Sequence, residues 1–82
     1  MITVRYFAGA RAAAGLATEE VPLDGGGTVE DLLAELSRRH GTQLARVLAA
    51  SSLLLDEVAV RDRAAPLASG TTVDVLPPFA GG

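Results

Sequence analysis

The residues with the clearest chemical potential lie at the end of the sequence, which reads LPPFAGG. Two consecutive glycines place a terminal carboxylate on a narrow stretch of backbone, because glycine has no Cβ. Other reactive side chains are scarce: the chain contains no cysteine and no lysine. Thiol nucleophiles, thiolate metal sites and lysine Schiff bases are therefore excluded. We find no metal site, phosphate loop or nucleophile–base pair, so an independent enzyme is the least expected class of function.

The single histidine, His40, follows the arginine pair Arg38-Arg39 at the end of a helical pattern. It has no acidic residue or cysteine beside it in the sequence. A lone histidine in the last turn of a helix is typical of a packing or capping residue. We therefore expect a structural role for His40.

The composition indicates one small folded domain. The chain has 82 residues, 49% of them hydrophobic, which is enough for a core. Its net charge is −3 and it has three aromatic residues, so neither a basic stripe nor stacking platforms favour nucleic-acid binding. No apolar run is long enough to span a membrane, and no signal peptide precedes the first strand pattern. We expect a cytoplasmic protein with no nucleic-acid or membrane partner.

Two strands are predicted at the start of the chain. Residues 2–8, ITVRYFA, alternate and are rich in β-branched and aromatic side chains. Inward positions are Ile2, Val4 and Tyr6, and outward positions are Thr3, Arg5 and Phe7. GARAAAG then predicts a turn or a single helical turn, and ATEEVPL predicts the second strand.

The segment TVEDLLAELSRRHG gives the clearest helical pattern. Thr28 is a good N-cap, and apolar residues recur at helical spacing from Val29 to Leu36. Asp31 occupies the position where a capping box normally has Glu or Gln, so we expect the box to be imperfect. Gly41 is the natural residue to end the helix.

The second half of the chain predicts a short helical turn, a hairpin and a final strand. Leu44, Val47 and Leu48 suit the helical turn, and SLLLDEVAVRD suits a tight hairpin around Asp56-Glu57. In the last strand, TTVDVL, the alternation turns Val73 and Val75 inward and Asp74 and Leu76 outward. Pro77-Pro78 ends that strand, because proline cannot donate to a strand ladder.

These elements predict an α+β fold in which a mixed sheet of about five strands packs on one main helix. A hairpin–helix path that returns the last strand beside the first, in parallel, is the β-grasp arrangement. The domain covers residues 1–76, and we expect residues 77–82 to form a flexible tail.

With these elements in place, the chain resembles the ubiquitin-like sulfur carriers, and most closely the small subunits of molybdopterin synthases. The resemblance runs from the ITVRYFA opening through TVEDLLAEL and VAVRDRAAPLASG to VDVLPPFAGG. The tail is the specific part: a hydrophobic residue, two prolines, two further residues and Gly-Gly. The strands and the helix are not specific by themselves.

This resemblance implies a carrier with no active site and no bound cofactor of its own. An activating enzyme uses ATP to adenylate the Gly82 carboxylate, and a sulfur donor converts it to a thiocarboxylate. A larger catalytic subunit of molybdopterin synthase then uses that sulfur on a pyranopterin precursor.

The tail must enter a narrow channel to be activated. Gly81 and Gly82 allow close approach of the backbone, Phe79 and Ala80 form the stalk, and Pro77 and Pro78 keep the root of the tail extended.

The family docks its catalytic partner through the sheet, and the positions that match its contacts here are Phe7, Val58 and Leu76. Pro77 and Pro78 adjoin the same surface.

Two alternatives stay open at this level. Related carriers supply sulfur for thiamine thiazole, cysteine synthesis or tRNA thiolation, and the same Gly-Gly end serves each pathway. The chain could also be a β-grasp interaction module that is indifferent to deletion of Gly81-Gly82. A carrier would lose all function on that deletion.

Overall fold

The computed structural model describes residues 1–23 and 27–78 and contains five strands and three helices within them. The elements in chain order are β1 (Ile2–Tyr6), α1 (Ala8–Ala14), β2 (Thr18–Val21), α2 (Val29–His40), α3 (Thr42–Ala50), β3 (Ser52–Leu55), β4 (Val58–Ala59) and β5 (Thr72–Leu76). The predicted turn after β1 is thus a two-turn helix, and the helical turn after α2 is a nine-residue helix. The segment 24–26, which follows the predicted second strand, lies outside the described residues.

The five strands form one mixed sheet in the order β2-β1-β5-β3-β4. The first and last strands of the sequence, β1 and β5, are adjacent and parallel at the centre of the sheet. The other strand pairs are antiparallel. This is the predicted β-grasp arrangement. It brings the end of β1 and the end of β5 to the same edge of the sheet, where the tail begins.

One face of the sheet is covered by the helices and contains the core. The inward residues of β1 are buried as predicted, and Val73 and Val75 of β5 are fully buried against them. From α2, the buried residues are Val29, Leu32, Leu33 and Leu36. The opposite face, which carries Thr3, Arg5, Thr72 and Asp74, is called the outer face below.

Helix α2 is fixed at both ends by local interactions. The Thr28 side chain accepts a hydrogen bond from the Asp31 amide at 3.1 Å, and the Thr28 amide donates to the Asp31 carboxylate at 2.9 Å. The capping box is therefore complete, and the expectation of an imperfect box was wrong, because the shorter Asp side chain still reaches the amide. At the other end Gly41 has φ +91°, a conformation that glycine adopts without a Cβ clash.

The predicted hairpin between β3 and β4 is confirmed, with Asp56 and Glu57 as its two turn residues. Both have positive φ angles, +46° and +71°, as a two-residue type I′ turn requires. The turn pairs Leu55 directly with Val58, and Leu55 is also paired with Val73 of β5. Residues paired across antiparallel strands share a face, so the register places Val58 on the helix side of the sheet.

Candidate functional site

The root of the tail lies where β5 ends. Strand β5 stops at Leu76, and the proline pair follows with Pro77 half-buried and Pro78 exposed. The last four residues of the predicted site, Phe79, Ala80, Gly81 and Gly82, lie outside the described residues. The structure therefore defines the surface from which the tail leaves the domain.

An apolar groove lies beside this root. Tyr6 is paired with Val75 in the parallel ladder, so the next residues, Phe7 and Leu76, follow side by side at the outer face. The groove has a volume of about 520 Å³ and is lined by Phe7, Ala8, Gly9, Ser52, Leu76, Pro77 and Pro78. We call this surface the tail-root groove. Of the predicted docking positions, Phe7, Leu76, Pro77 and Pro78 meet here.

Phe7 is held in the groove by its own backbone. Its amide donates to the Val75 carbonyl at 3.3 Å, and its carbonyl accepts from the Ala10 amide at 3.0 Å. The next residue, Ala8, has a φ of +48°, which is rare for a residue with a Cβ. The sharp corner turns the chain from β1 into α1 and leaves the Phe7 side chain 39% exposed. An aromatic ring fixed in partial contact with water is a good anchor for a protein partner.

An ion pair on the outer face lies next to the groove. Arg5 donates to both carboxylate oxygens of Asp74, at 2.6 and 2.8 Å, and its guanidinium lies 5.9 Å from the centre of the Phe7 ring. The hydrogen bond and the charge of Asp74 raise the pKa of Arg5. Asp74 points outward as predicted, but it is buried, with 7% of its side chain exposed, because the arginine covers it. Sequence reasoning missed this pair, although two adjacent parallel strands with an outward Arg and an outward Asp were a possible signal.

The structure does not bring Val58 to this surface. Its side chain is 68% exposed, as an apolar docking residue would be, but the register places it on the other face of the sheet. The residue of β4 that does lie on the outer face is Ala59, which is paired with Leu54. The prediction that grouped Val58 with Phe7 and Leu76 was therefore wrong in geometry. The face of Val58 follows from its pairing with Leu55 in the hairpin, and the alternation of residue types does not give this pairing.

His40 belongs to a second cluster, on the helix side of the sheet. Its Nε2 atom lies 2.6 Å from a Glu19 oxygen that also accepts a 2.5 Å hydrogen bond from the Tyr6 hydroxyl. Arg39 approaches the other Glu19 oxygen at 3.3 Å. His40 therefore does have an acidic neighbour, supplied by β2 from 21 positions earlier in the chain. We call these three residues, Tyr6, Glu19 and His40, the glutamate cluster.

Burial and hydrogen bonding shift the pKa values of Tyr6 and Glu19. Burial raises the pKa of Tyr6, and the hydrogen bond to the Glu19 carboxylate raises it further. Burial alone would raise the pKa of Glu19, but hydrogen bonds from Tyr6 and His40 outweigh it and hold this pKa below its usual range. The cluster joins β1, β2 and the end of α2 with satisfied hydrogen bonds. This arrangement indicates a structural role for His40.

Within residues 1–23 and 27–78, no group of three or more histidine and carboxylate side chains could hold a metal ion. In the same part of the chain no helix is both long and apolar enough to cross a membrane.

Comparison with known proteins identifies the family. The ThiS family matches residues 4–82, so the chain belongs to the ThiS family. A search of curated proteins gave no match. The chain has the ubiquitin-like β-grasp fold and is a ThiS-like sulfur carrier.

Solved structures agree with this fold over nearly the whole chain. A Pyrococcus furiosus protein described as molybdopterin converting factor subunit 1 is 29% identical, with a TM-score of 0.84 over 95% of this chain and 97% of that one. SAMP1 from Haloferax volcanii is 27% identical, with a TM-score of 0.85 over 99% and 98%. A complex of subunits 1 and 2 of the molybdopterin-converting factor from Helicobacter pylori contains a chain that is 21% identical and has the same fold, with a TM-score of 0.73 over 99% and 97%.

Proposed function

We propose that this ThiS-family sulfur carrier donates sulfur in molybdopterin biosynthesis, as the small subunit of a two-component molybdopterin synthase. The observation that carries the proposal is the position of the root of the LPPFAGG segment: Leu76, Pro77 and Pro78 line the tail-root groove together with Phe7. The likeness to the Pyrococcus furiosus subunit 1 over nearly the full length of both chains supports this pathway.

The tail is the substrate in the proposed chemistry. A carboxylate is a poor acyl donor, so the activating enzyme transfers an adenylyl group from ATP to the Gly82 carboxylate and releases pyrophosphate. Sulfur at the sulfide oxidation level, supplied by the donor, then attacks the acyl carbon: a C–S bond forms, the bond to AMP breaks, and a thiocarboxylate remains. The absence of a Cβ in Gly81 and Gly82 lets the backbone pass through the narrow channels of both partners. The rate of each step comes from the partner, through positioning and charge stabilisation.

The tail-root groove supplies the docking energy that delivers the tail. Phe7, Leu76, Pro77 and Pro78 form an apolar surface directly at the point where the tail begins. A partner that covers this surface gains hydrophobic contact and holds the root of the tail at its own active-site entrance. Pro77 and Pro78 restrict the backbone at the root, so less conformational entropy is lost when the tail enters.

A reconstituted sulfur-transfer assay tests the proposal. The thiocarboxylated chain is mixed with the larger catalytic subunit and the pyranopterin precursor, and the dithiolene product is measured. We expect product in proportion to the carrier supplied, and none from a chain that lacks Gly81-Gly82. Transfer of sulfur only to a thiazole, cysteine or tRNA acceptor would contradict the molybdopterin assignment. Equal function of the truncated chain would contradict a carrier role altogether.

A further inference from the structure

The outer face of the sheet is not covered by any helix of the described chain. The buried residues of the helices form a single core cluster with Ile2, Val4, Val73 and Val75. These four strand residues all lie on the helix side of the sheet, opposite the outer face. Within residues 1–23 and 27–78, the outer face is therefore free of helices along its whole length. It extends along β5 from Leu76 at the tail root to Thr72 near the β3–β4 hairpin.

The two ends of this face differ in chemistry. The tail-root groove at one end is lined mostly by apolar side chains. At the other end a polar depression of about 320 Å³ is lined by Arg5, Asp56, Glu57, Thr72 and Asp74. We call this surface the hairpin pocket. Its lining contains three carboxylates and one guanidinium, so it carries an excess of negative charge.

The charges of the hairpin pocket are already ordered. Arg5 donates two hydrogen bonds to Asp74. This ion pair lies between the hairpin pocket and the Phe7 ring. Asp56 is fixed because one of its oxygens accepts from the Thr72 amide at 2.9 Å. Asp56 has a second oxygen, and the exposed Glu57 carboxylate lies next to it on the turn. A cation that enters here would meet carboxylates whose backbone is held by a tight turn.

We propose that the outer face is one docking surface that allows the partner to bind in a single orientation. An apolar projection of the partner fills the tail-root groove, and an arginine or lysine of the same partner enters the hairpin pocket. Leu76 and Thr72 are four positions apart along β5, so the partner's apolar and basic groups lie about 13 Å apart. This inference rests on the proposed function and adds the chemistry of the partner's surface. A single orientation is useful because a carrier docked the other way round would direct its tail away from the catalytic site of the partner.

Charge complementarity favours a basic group over other occupants. Net negative charge at the rim of a docking surface accelerates association with a basic partner and rejects an acidic one. A second copy of this chain is a poorer occupant, because like charges at the two hairpin ends would repel in any arrangement that brings them together.

Binding of charge variants to the larger catalytic subunit of molybdopterin synthase tests this inference. Glu57→Arg reverses one charge in the hairpin pocket, and Glu30→Arg makes the same change on the exposed surface of α2 as a matched control. At low salt we expect Glu57→Arg to weaken binding about 10-fold, mainly through slower association, and Glu30→Arg to leave it unchanged. Glu57→Gln should give a smaller loss. The difference should shrink at about 1 M salt, where the Debye length is only about 3 Å.

The outcomes separate this inference from the proposed function. If the wild-type chain binds and Glu57→Arg equals Glu30→Arg, the basic partner group is wrong and the carrier role stands. If the wild-type chain does not bind the large subunit at all, both proposals are wrong. Reversal of one basic residue of the large subunit to Glu should restore binding to Glu57→Arg, and failure of every such reversal would overturn the pairing. Dimerisation of the free chain through this face would also contradict it.

Discussion

Tyr6 and Phe7 are neighbours in the chain but serve opposite sides of the same sheet. Tyr6 is 2% exposed and donates its hydroxyl to Glu19 in the glutamate cluster, whereas Phe7 is 39% exposed and lines the tail-root groove. We therefore expect substitutions at these adjacent positions to act differently, at Tyr6 on the stability of the domain and at Phe7 on the proposed partner binding. The two residues are of similar type, so the expected difference comes from the face of the sheet on which each lies.

The largest effect is expected at the exposed member of this pair. Phe7→Glu places an unpaired carboxylate where a partner would remove water, so binding to the larger catalytic subunit should weaken by about 2–4 kcal/mol, roughly 30- to 1000-fold. The free energy of unfolding should change little, because Phe7 contributes little to the core. Partner titration and thermal melts measure the two effects. A collapsed melt would show that Phe7 is part of the core.

The buried member should give the opposite result. Tyr6→Phe removes a hydroxyl that hydrogen-bonds to a charged carboxylate, so we expect a loss of about 1–2 kcal/mol in the free energy of unfolding. The whole domain is stabilised by only about 5–15 kcal/mol, so urea denaturation will resolve this change. Affinity for the partner should stay the same. An unaltered urea midpoint would mean that the Tyr6–Glu19 bond does not stabilise the fold.

The glutamate cluster should also give the domain an acid-dependent stability. Against the effect of burial, hydrogen bonds from Tyr6 and His40 hold the pKa of Glu19 in the folded chain below its value in the unfolded chain, so the ionised Glu19 stabilises the fold at pH values above the unfolded-state pKa. The contribution is lost as the pH falls through the folded-state pKa, because protonation then favours the unfolded chain. Glu19→Gln should therefore show a smaller fall in melting temperature between about pH 5 and pH 2 than the wild type.

The comparison with Glu19→Gln isolates this residue from the other acids. Glu35, whose pKa is lowered to about 2 by hydrogen bonds from Arg38 and Arg39, titrates in both proteins and cancels. Parallel pH profiles for the two proteins would argue against a stabilising role for the ionised Glu19.

The smallest effect is expected at Val58. Val58→Glu introduces the same charge as Phe7→Glu at an even more exposed position, but on the other face of the sheet. Exposed positions away from special features usually tolerate substitution within about 0.5 kcal/mol, so we expect at most about a twofold change in binding. A loss as large as that of Phe7→Glu would restore the grouping predicted from the sequence.

Local patterns were sufficient to predict most of the fold. Alternation identified the buried side of β1, and the Asp56-Glu57 turn and the Thr28 cap were evident from residue type. The Arg5–Asp74 pair and the Glu19–His40 contact could not be predicted in the same way, because they join residues 69 and 21 positions apart. Such contacts depend on strand register and helix placement, which single-residue propensities do not contain.

The site was predictable in part for the same reason. The proximity of Phe7 and Leu76 beside the proline pair followed from the expectation that β1 and β5 are adjacent and parallel. Val58 was misplaced because its face is set by Leu55, with which it is paired, and the face of Leu55 is set by its own pairing with Val73. Leu55 lies on β3, two strands away from Phe7 on β1. A two-residue turn gives Leu55 and Val58 the same face, so an inward assignment of Leu55 would have placed Val58 on the helix side as well.

Intact mass spectrometry can detect directly whether the Gly82 carboxylate acquires sulfur. The chain is incubated with a cognate activating enzyme, ATP and a sulfur donor, and its mass is compared with that of Gly81→Val, which should fold but fail to enter the channel. The account predicts a gain of about 16 Da in the wild type alone, from the exchange of one carboxylate oxygen of Gly82 for sulfur. No gain with any activating enzyme, or an equal gain in Gly81→Val, would contradict it.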